Sequence, residues 1–344
     1  LILGLETSCD DTSVAVVDGE GFVRALVSAN QDAQHRPFGG VVPEVASRQH
    51  TENLIPIIDQ ALSEAAVTWS GIKAIAVTSR PGLIGSLLVG VVTAKALSMA
   101  KGIPIVDVNH IEGHLLAALL KDKAYAPPKG FEFPYLGLAV SGGHTHLFHV
   151  MALGKYKLLG KTIDDAAGEA FDKLAKMLKL GFPGGVAVDK LAQTGNRYGF
   201  KFPRPLIHED NLDFSFSGLK TAALREIEKI PADLLEEKKA DLAASYQDAI
   251  VEVLVHKLIK AARQTKLRNW TITGGVSANS GLRARAQEAA LNNNAILALP
   301  PLRYCTDNAA MIAYAGLLKF NSGIVATQEL SPSASSLPSD WLPA

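Results

Sequence analysis

The sequence predicts an α/β protein of two lobes built from a duplicated unit, and three observations carry that prediction. At 344 residues the chain exceeds one ordinary domain, and two lobes of roughly 150 residues each are the natural division. A strand–turn–strand opening recurs: LGLETSCDDT (3–12) laid over LGLAVSGGHT (136–145) matches at Leu, Gly, Leu, Ser and Thr, five of ten positions at an offset of 133. Ten residues alone would be weak, but they fall on the same element at the start of each half. After each opening, helical and strand patterns alternate, which implies a sheet with helices in each half.

In the first half, residues 1–7, 13–18 and 22–28 read as short apolar strands, separated by CDDT and by the turn Gly19-Glu20-Gly21. Residues 51–65 carry apolar side chains at helical spacing, and 72–79 is an apolar run of strand length. A helix over 82–101 opens at Pro81, and a strand covers 103–108. The second half repeats the grammar, with strands at 135–141, 146–150 and 157–162 around GGHT. Helices follow at 165–178, 185–194 and 240–264, then a strand at 270–273, a helix at 282–291, a strand at 295–299 and a helix at 307–320. The Ser/Pro-rich tail from Thr327 reads as irregular.

Composition excludes several classes. With 48% hydrophobic and 20% charged residues, the chain can bury cores and is not disordered. Lys plus Arg equals Asp plus Glu, 34 against 34, so a nucleic-acid partner must meet a local patch or a helper subunit. The densest basic stretch is KLIKAARQTKLR (257–268). Two cysteines, Cys9 and Cys305, make no disulfide framework. LILGLETSCDD has no basic n-region and reads as neither signal nor transit peptide. The most apolar run, 83–100, is interrupted by Lys95 and fits a buried helix better than a membrane span. Its small residues Gly82, Gly85, Ser86, Gly90 and Ala94 would serve internal packing or a docked subunit.

Two segments imitate familiar motifs and fail on spacing. GKYKLLGKT (154–162) resembles a phosphate-binding P-loop, but its glycines stand one residue too far apart and it lies in a predicted hairpin. HIEGH (110–114) resembles the zinc-protease motif HExxH, yet its glutamate comes two residues after the first histidine. At about 100° per residue, Glu112 lies roughly 200° around a helix from either histidine, on the opposite face.

His110 and His114 do share a face, just after a predicted strand end where α/β proteins place ligand sites. Such a pair also occurs as two core histidines, and Asp307 in CTDNAAMIAYAG could be a plain helix cap, as could Thr306. Taken together, two imidazoles and a carboxylate form a metal site with open positions for water or phosphate, suited to iron or zinc.

SGGHT (Ser141, Gly142, Gly143, His144, Thr145) is either a plain hairpin turn or a turn whose backbone N–H groups can approach an anion. GFPGGVAVDK places Gly184 and Gly185 at a helix start, near a phosphate or ribose. ITGGVSANSG (272–281) runs from a strand through Gly-Gly into a polar turn that admits the flat face of adenine, with the amide of Asn279 at hand. In IDDAAGEAFDK (163–173), Asp164 and Asp165 read as N-caps and Asp172 is freer to meet ribose hydroxyls. Phe214 and Phe216 read as core. Cys9 and Cys305 lack an adjacent base to activate a thiol.

The ordered set ETSCDDT, GGVVPEVASRQH, PGLIGSLLVG, NHIEGH, SGGHTHL, DDAAGEAFDKLAK, PGG, DFSFSGLKT, TGGVSAN and CTDNAAMIAYAG resembles the TsaD family, bacterial tRNA N6-adenosine threonylcarbamoyltransferases. The likeness runs from Ile2 to Gly323. It implies the actin/Hsp70/sugar-kinase fold, two lobes around a nucleotide cleft. Residues 1–108 with 307–344 would form the first lobe, and 109–306 a second lobe carrying most of the nucleotide site. It implies transfer of a threonylcarbamoyl group from threonylcarbamoyl-AMP to the N6 amine of adenosine 37, in tRNAs reading codons that start with A, in the cytoplasm.

Carried across residue by residue, His110, His114 and Asp307 would hold one divalent ion per subunit, iron or zinc. The adenylate would lie on Ser141, Gly142, Gly143, His144, Thr145, Asp172, Gly185, Asp189 and Asn279. Where the family shows Asp-Glu-Thr, this chain has Asp10-Asp11-Thr12, so Asp11, the candidate catalytic residue, keeps the charge on a shorter arm. Arg80 replaces a usual small residue. Implied partners are tRNA, a TsaB-like paralog, a TsaE-like ATPase and a TsaC-like synthase that makes the adenylate. A sugar kinase on this fold would need no histidine pair, a metalloprotease would need its glutamate beside the first histidine, and a non-catalytic paralog should lack the His–His–Asp set.

Overall fold

The computed structural model of the chain describes residues 1–181 and 183–336. The end of the tail read as irregular lies outside the described residues, as does Phe182 of the GFPGG loop. The chain forms two units. One holds Leu1–Lys129, Ala152–Lys155 and the chain from Pro300; the other holds Gly130–Met151 and Tyr156–Leu299. These change-over points differ from the sequence-based 108/109 and 306/307. The HIEGH segment stays with the first unit because it packs on the helix after Asp307, and Arg303 and Tyr304 are tied to Asp122 of that unit by hydrogen bonds.

In the first unit, β1 (Ile2–Glu6) and β2 (Thr12–Val17) form an antiparallel hairpin, and β3 (Val23–Ala29) adds to β2. α1 (Asp32–His35) and α2 (Pro43–Glu64) follow, then β4 (Ala74–Arg80), α3 (Ile84–Lys101) and β5 (Ile105–Asn109). β4 lies parallel to β1 and β5 parallel to β4, giving the order β3-β2-β1-β4-β5. β1 and β2 are buried throughout, which is why they read as continuous apolar runs without alternation. α2 begins at Pro43, well before residue 51, because proline suits the first helical turn and the polar residues after it mask the apolar period.

α3 turns Ser86, Leu87, Gly90, Val91, Ala94 and Ser98 inward. A Cβ on Gly90 would strike the Thr7 hydroxyl, and one on Gly82 would come within 2.5 Å of the Ser8 carbonyl. The small residues therefore serve internal packing against β1. By length and mean hydropathy α3 could cross a membrane; a third of it is buried within the protein, while Ile84, Leu88, Val92 and Met99 are exposed.

α4 (His110–Leu116) starts directly after β5. The second unit opens with β6 (Tyr135–Val140), β7 (Thr145–Ala152) and β8 (Lys155–Lys161). Helices α5 (Ala167–Leu178), α6 (Gly184–Ala192), α7 (Ser217–Glu228) and α8 (Leu235–Thr265) follow, then β9 (Asn269–Thr273), α9 (Ser280–Asn292) and β10 (Ile296–Ala298). α10 (Ala309–Asn321) belongs to the first unit.

The second sheet runs β10-β9-β6-β7-β8. Read from its other edge it is β8-β7-β6-β9-β10, matching the first sheet strand for strand, with the same antiparallel hairpin and the same parallel pairing beside it. The duplicated openings are thus equivalent hairpins. Phe214 and Phe216 are fully buried core, as their alternation implied, but α7 beginning at the next residue goes unmarked in the sequence pattern. Asp164 and Asp165 do not cap α5, whose N-cap is Ala166 without a side-chain bond. Asp164 instead accepts from the Phe216 amide at 2.8 Å and the Ser217 hydroxyl at 2.7 Å, anchoring the start of α7, while Asp165 pairs with Lys173.

Candidate active site

α4 and α10 build the His–His–Asp cluster. Asn109 caps α4, its Oδ1 accepting from the amides of Ile111 at 2.8 Å and Glu112 at 3.2 Å, a cap contributing about 1 kcal/mol. A Cβ on Gly113 would stand 2.8 Å from the Ile312 methyl, so α4 and α10 are closely packed here. Asp307 sits just before α10, but the cap is Asn308, which accepts from Met311 N at 3.1 Å. The Asp307 carboxylate is therefore released from capping.

The resulting triangle is tight. His110 Nε2 and His114 Nε2 are 3.1 Å apart, and Asp307 Oδ1 lies 3.3 Å from the first and 3.2 Å from the second. Ligands bound at about 2.0–2.2 Å in one tetrahedral or octahedral shell stand roughly 3.0–3.5 Å from each other. The three donors fit one divalent ion. Glu112 points elsewhere, forming a buried ion pair of 2.7 Å with Lys319, as the 200° rotation requires.

Behind the triangle stands Glu6, at the end of β1 and fully buried. Its Oε2 is 3.0 Å from His110 Nδ1 and accepts from Thr78 Oγ at 2.6 Å, and its Oε1 accepts from Ser8 N at 2.6 Å. A carboxylate holding the far nitrogen of a histidine fixes its tautomer and aims the other nitrogen at a metal. Burial alone would push the His110 pKa down, but the charges of Asp307 and Glu6 override it and hold it well above the usual value. Burial likewise pushes Asp307 up, yet the two histidines hold it well below the carboxylate range. These acids already favour a cation at this point.

The turn after β1 adds two acids. Asp11 accepts from Asn30 at 3.1 Å, and burial, with Asp307 and Asp10 beside it, pushes its carboxyl up to about 7. His50 fastens the same turn, 2.8 Å from Thr12 Oγ and 3.0 Å from the Cys9 carbonyl. Burial raises the Cys9 thiol so far that it is no nucleophile.

In the second unit, β6 and β9 run parallel, so the turns after them are neighbours at the carboxyl ends of the strands. Ser141 N donates to the His144 carbonyl at 2.7 Å and His144 N to Ser141 Oγ at 3.2 Å. Gly142 and Gly143 stand exposed, with no atom within 4 Å of an added Cβ, leaving bare backbone for a ligand. Thr145 Oγ accepts from Ala167 N at 2.9 Å and ties the turn to the start of α5. Gly274 adopts φ +86°, and a Cβ there would strike the Val140 carbonyl, so only glycine joins the two turns.

Asp172 accepts from the amides of Gly184 and Gly185; burial nonetheless raises its pKa. Asp189 accepts from Ser280 Oγ at 2.8 Å. The Asn279 amide is largely engaged: its Oδ1 caps α9 at Leu282 N, 2.9 Å, and its Nδ2 donates to Gln247 at 2.6 Å.

The family model for tRNA N6-adenosine threonylcarbamoyltransferase, TsaD, matches residues 22–314. The chain belongs to the TsaD family. A relative of that same description from Bdellovibrio bacteriovorus is 55% identical over 99% of both chains. Another, from Trichlorobacter lovleyi, is 50% identical over 94% of this chain and 92% of its own. Among solved structures, HypF of T. kodakarensis matches with a TM-score of 0.61 at 13% identity, over 93% of this chain and 48% of HypF. The Acidaminococcus fermentans (R)-2-hydroxyglutaryl-CoA dehydratase component A matches with a TM-score of 0.54 at 13% identity, over 93% and 98%. At such identity these two share the fold alone, the duplicated actin/Hsp70/sugar-kinase-like architecture.

Reading this TsaD chain as sequence missed Glu6, Ser8 and Lys319. A signal for Glu6 was present: the offset of 133 sets it against Ala139, and a charged residue closing an apolar buried strand calls for a partner. Of the basic stretch, Lys257 is buried and donates to the Asn211 carbonyl at 2.8 Å, while His256, Lys260 and Arg263 line a shallow hollow with His208.

Proposed function

We propose that this threonylcarbamoyltransferase takes the group from threonylcarbamoyl-AMP and places it on the N6 amine of adenosine 37, in tRNAs that read codons starting with A. The observation that carries the reading is the His110–His114–Asp307 triangle, intact in a member of the TsaD family. The adenine amine is a poor nucleophile because its lone pair is delocalised into the ring, so the acyl donor must be strongly activated. A mixed anhydride with AMP is such a donor. N6 attacks the carbamoyl carbon, the C–N bond forms, the C–O bond to phosphate breaks, AMP leaves, and N6 loses a proton.

His110, His114 and Asp307 would hold iron or zinc, which neutralises charge on phosphate oxygens. The exposed Gly142 and Gly143 N–H groups of the turn from Ser141 to Thr145 take up phosphate charge, and Asp172, Gly185 and Asp189 line the ribose side. Asn279 supports the turn beside the base through its cap, with its remaining N–H for the ligand. Asp11 is the group assigned to receive the N6 proton, since a carboxyl near 7 is matched to that task.

The accepting base lies in a single-stranded loop, where splaying it out costs less than in a duplex. A chain of zero net charge grips a polyanion weakly. Turnover therefore depends on a TsaB-like paralog and a TsaE-like ATPase in the cytoplasm, with a TsaC-like synthase supplying the adenylate. Mass analysis of tRNA nucleosides, after incubation with threonylcarbamoyl-AMP with and without those partners, tests both parts. Absence of the modified nucleoside with all partners present would overturn the reaction, and full-rate turnover by the chain alone would overturn the dependence.

A further inference from the structure

α4 poses a problem that its own hydrophobicity cannot solve. All seven of its residues, His110 to Leu116, are buried. A helix normally settles its rotation by turning an apolar face inward and a polar face to water. With no solvated face, burial is nearly indifferent to rotation, because the hydrophobic effect is non-directional. Yet the metal site needs one rotation: a slip of one residue, about 100°, would turn both histidines away from Asp307.

We propose that the buried Glu112–Lys319 ion pair is a rotational lock for α4, acting as a positioning device for the metal ligands without touching them. Glu112 lies midway between His110 and His114, so it projects from the face opposite the triangle. There it meets Lys319 Nζ at 2.7 Å, with side chains 0% and 3% exposed. Lys319 also donates to the Asp107 carbonyl at 3.1 Å, on the strand that leads into α4. It lies on α10, whose preceding residues supply Asp307. One helix thus grips α4 from both sides, through the metal ligand before its start and through the ammonium in its last turn. A buried pair of charges is a poor source of stability, because desolvation offsets most of the attraction, but it strongly favours one arrangement. Asn109 fixes where α4 starts, and Glu6 and Ser8 hold His110 Nδ1 at 3.0 and 3.1 Å, but none of these grips the face opposite the histidines.

The inference rests on the metal reading. The test uses the full chain and cobalt(II) alone, whose visible spectrum reports ligand geometry. Lys319→Met removes the ammonium that faces the buried Glu112 carboxylate and is expected to lower Tm sharply. The double variant Glu112→Leu/Lys319→Met removes both charges and restores Tm toward the wild-type value. If the pair is a lock, the double variant binds cobalt about 10–100-fold more weakly, the range for outer-shell changes, with an altered spectrum. Wild-type affinity and spectrum in a folded double variant would overturn the lock while leaving the metal site intact. A double variant that cannot fold would overturn it too, since the pair would then be a folding requirement. If the wild-type chain binds no cobalt, the metal reading itself fails.

Discussion

The hairpin after β1 and the hairpin after β6 are the same piece of backbone used for opposite charges. Each pairs an antiparallel strand behind a short turn, and each keeps Leu, Gly, Leu, Ser and Thr at the same places. In the first unit the turn is acidic, with Glu6 behind it and Asp10 and Asp11 within it, facing two histidines and Asp307. In the second unit Glu6 is replaced by Ala139, and the two aspartates by Gly143 and His144. The first offers a candidate cation site made of side chains, and the second a turn of exposed backbone. One scaffold thus carries two turns of opposite chemical character.

The strongest way to break this comparison is to remove the cation side. His110→Ala and His114→Ala should each abolish stoichiometric metal, measured by elemental analysis. Nucleoside modification should fall by more than the roughly 10–100-fold typical of outer-shell changes. Full metal retention in both would remove the first unit's assigned role.

Glu6→Gln sharpens the point, because it keeps one acceptor oxygen in place while removing the charge behind His110 and turning the other oxygen into a donor. Metal affinity should drop by about 10–100-fold while the fold persists. An unchanged affinity would mean that Glu6 is merely a buried polar group satisfied by Thr78 and Ser8.

The second unit should also lose stability in mild acid. His146 on β7 is held neutral: burial first, then Lys161, lowers its pKa to about 4. The unfolded chain, with an ordinary pKa of about 6.5, binds that proton sooner. Stability from this group is complete above that value and is lost progressively as pH falls from 6.5 to 4, by at most about 3 kcal/mol. Denaturant melts across that window should show the slope, and His146→Phe should flatten it. A slope that persists unchanged in the variant would assign it to other groups.

The smallest effect belongs to the ribose side. Asp172→Ala should weaken binding of an adenine nucleotide by about 1–3 kcal/mol, the scale of a lost buried hydrogen bond, as read by calorimetry. Because Asp172 also accepts from Gly184 and Gly185, part of that loss would come through the start of α6. Binding left intact would place the ribose elsewhere and leave the second turn as a plain hairpin.

From the sequence alone came the α/β class, the duplicated hairpin and the His110–His114 pair, since strand runs, helical period and an i, i+4 pair are local regularities; Asp307 joined the pair through its motif. That the two sheets share one strand order follows from that repetition, while the order itself does not. The tertiary structure alone decided the rest, because it depends on residues distant in the chain. Glu6 meets His110 across 104 positions, and His114 meets Asp307 across 193. Local pattern also misassigns polar residues with several possible partners. Asp164 reads as the cap of its own helix but anchors α7. Periodicity reports which face of an element is apolar and is silent when every face is buried. The rotation that brings His110 and His114 to Asp307 therefore shows only in contacts made by the folded chain, such as Glu112 with Lys319 and His110 with Glu6.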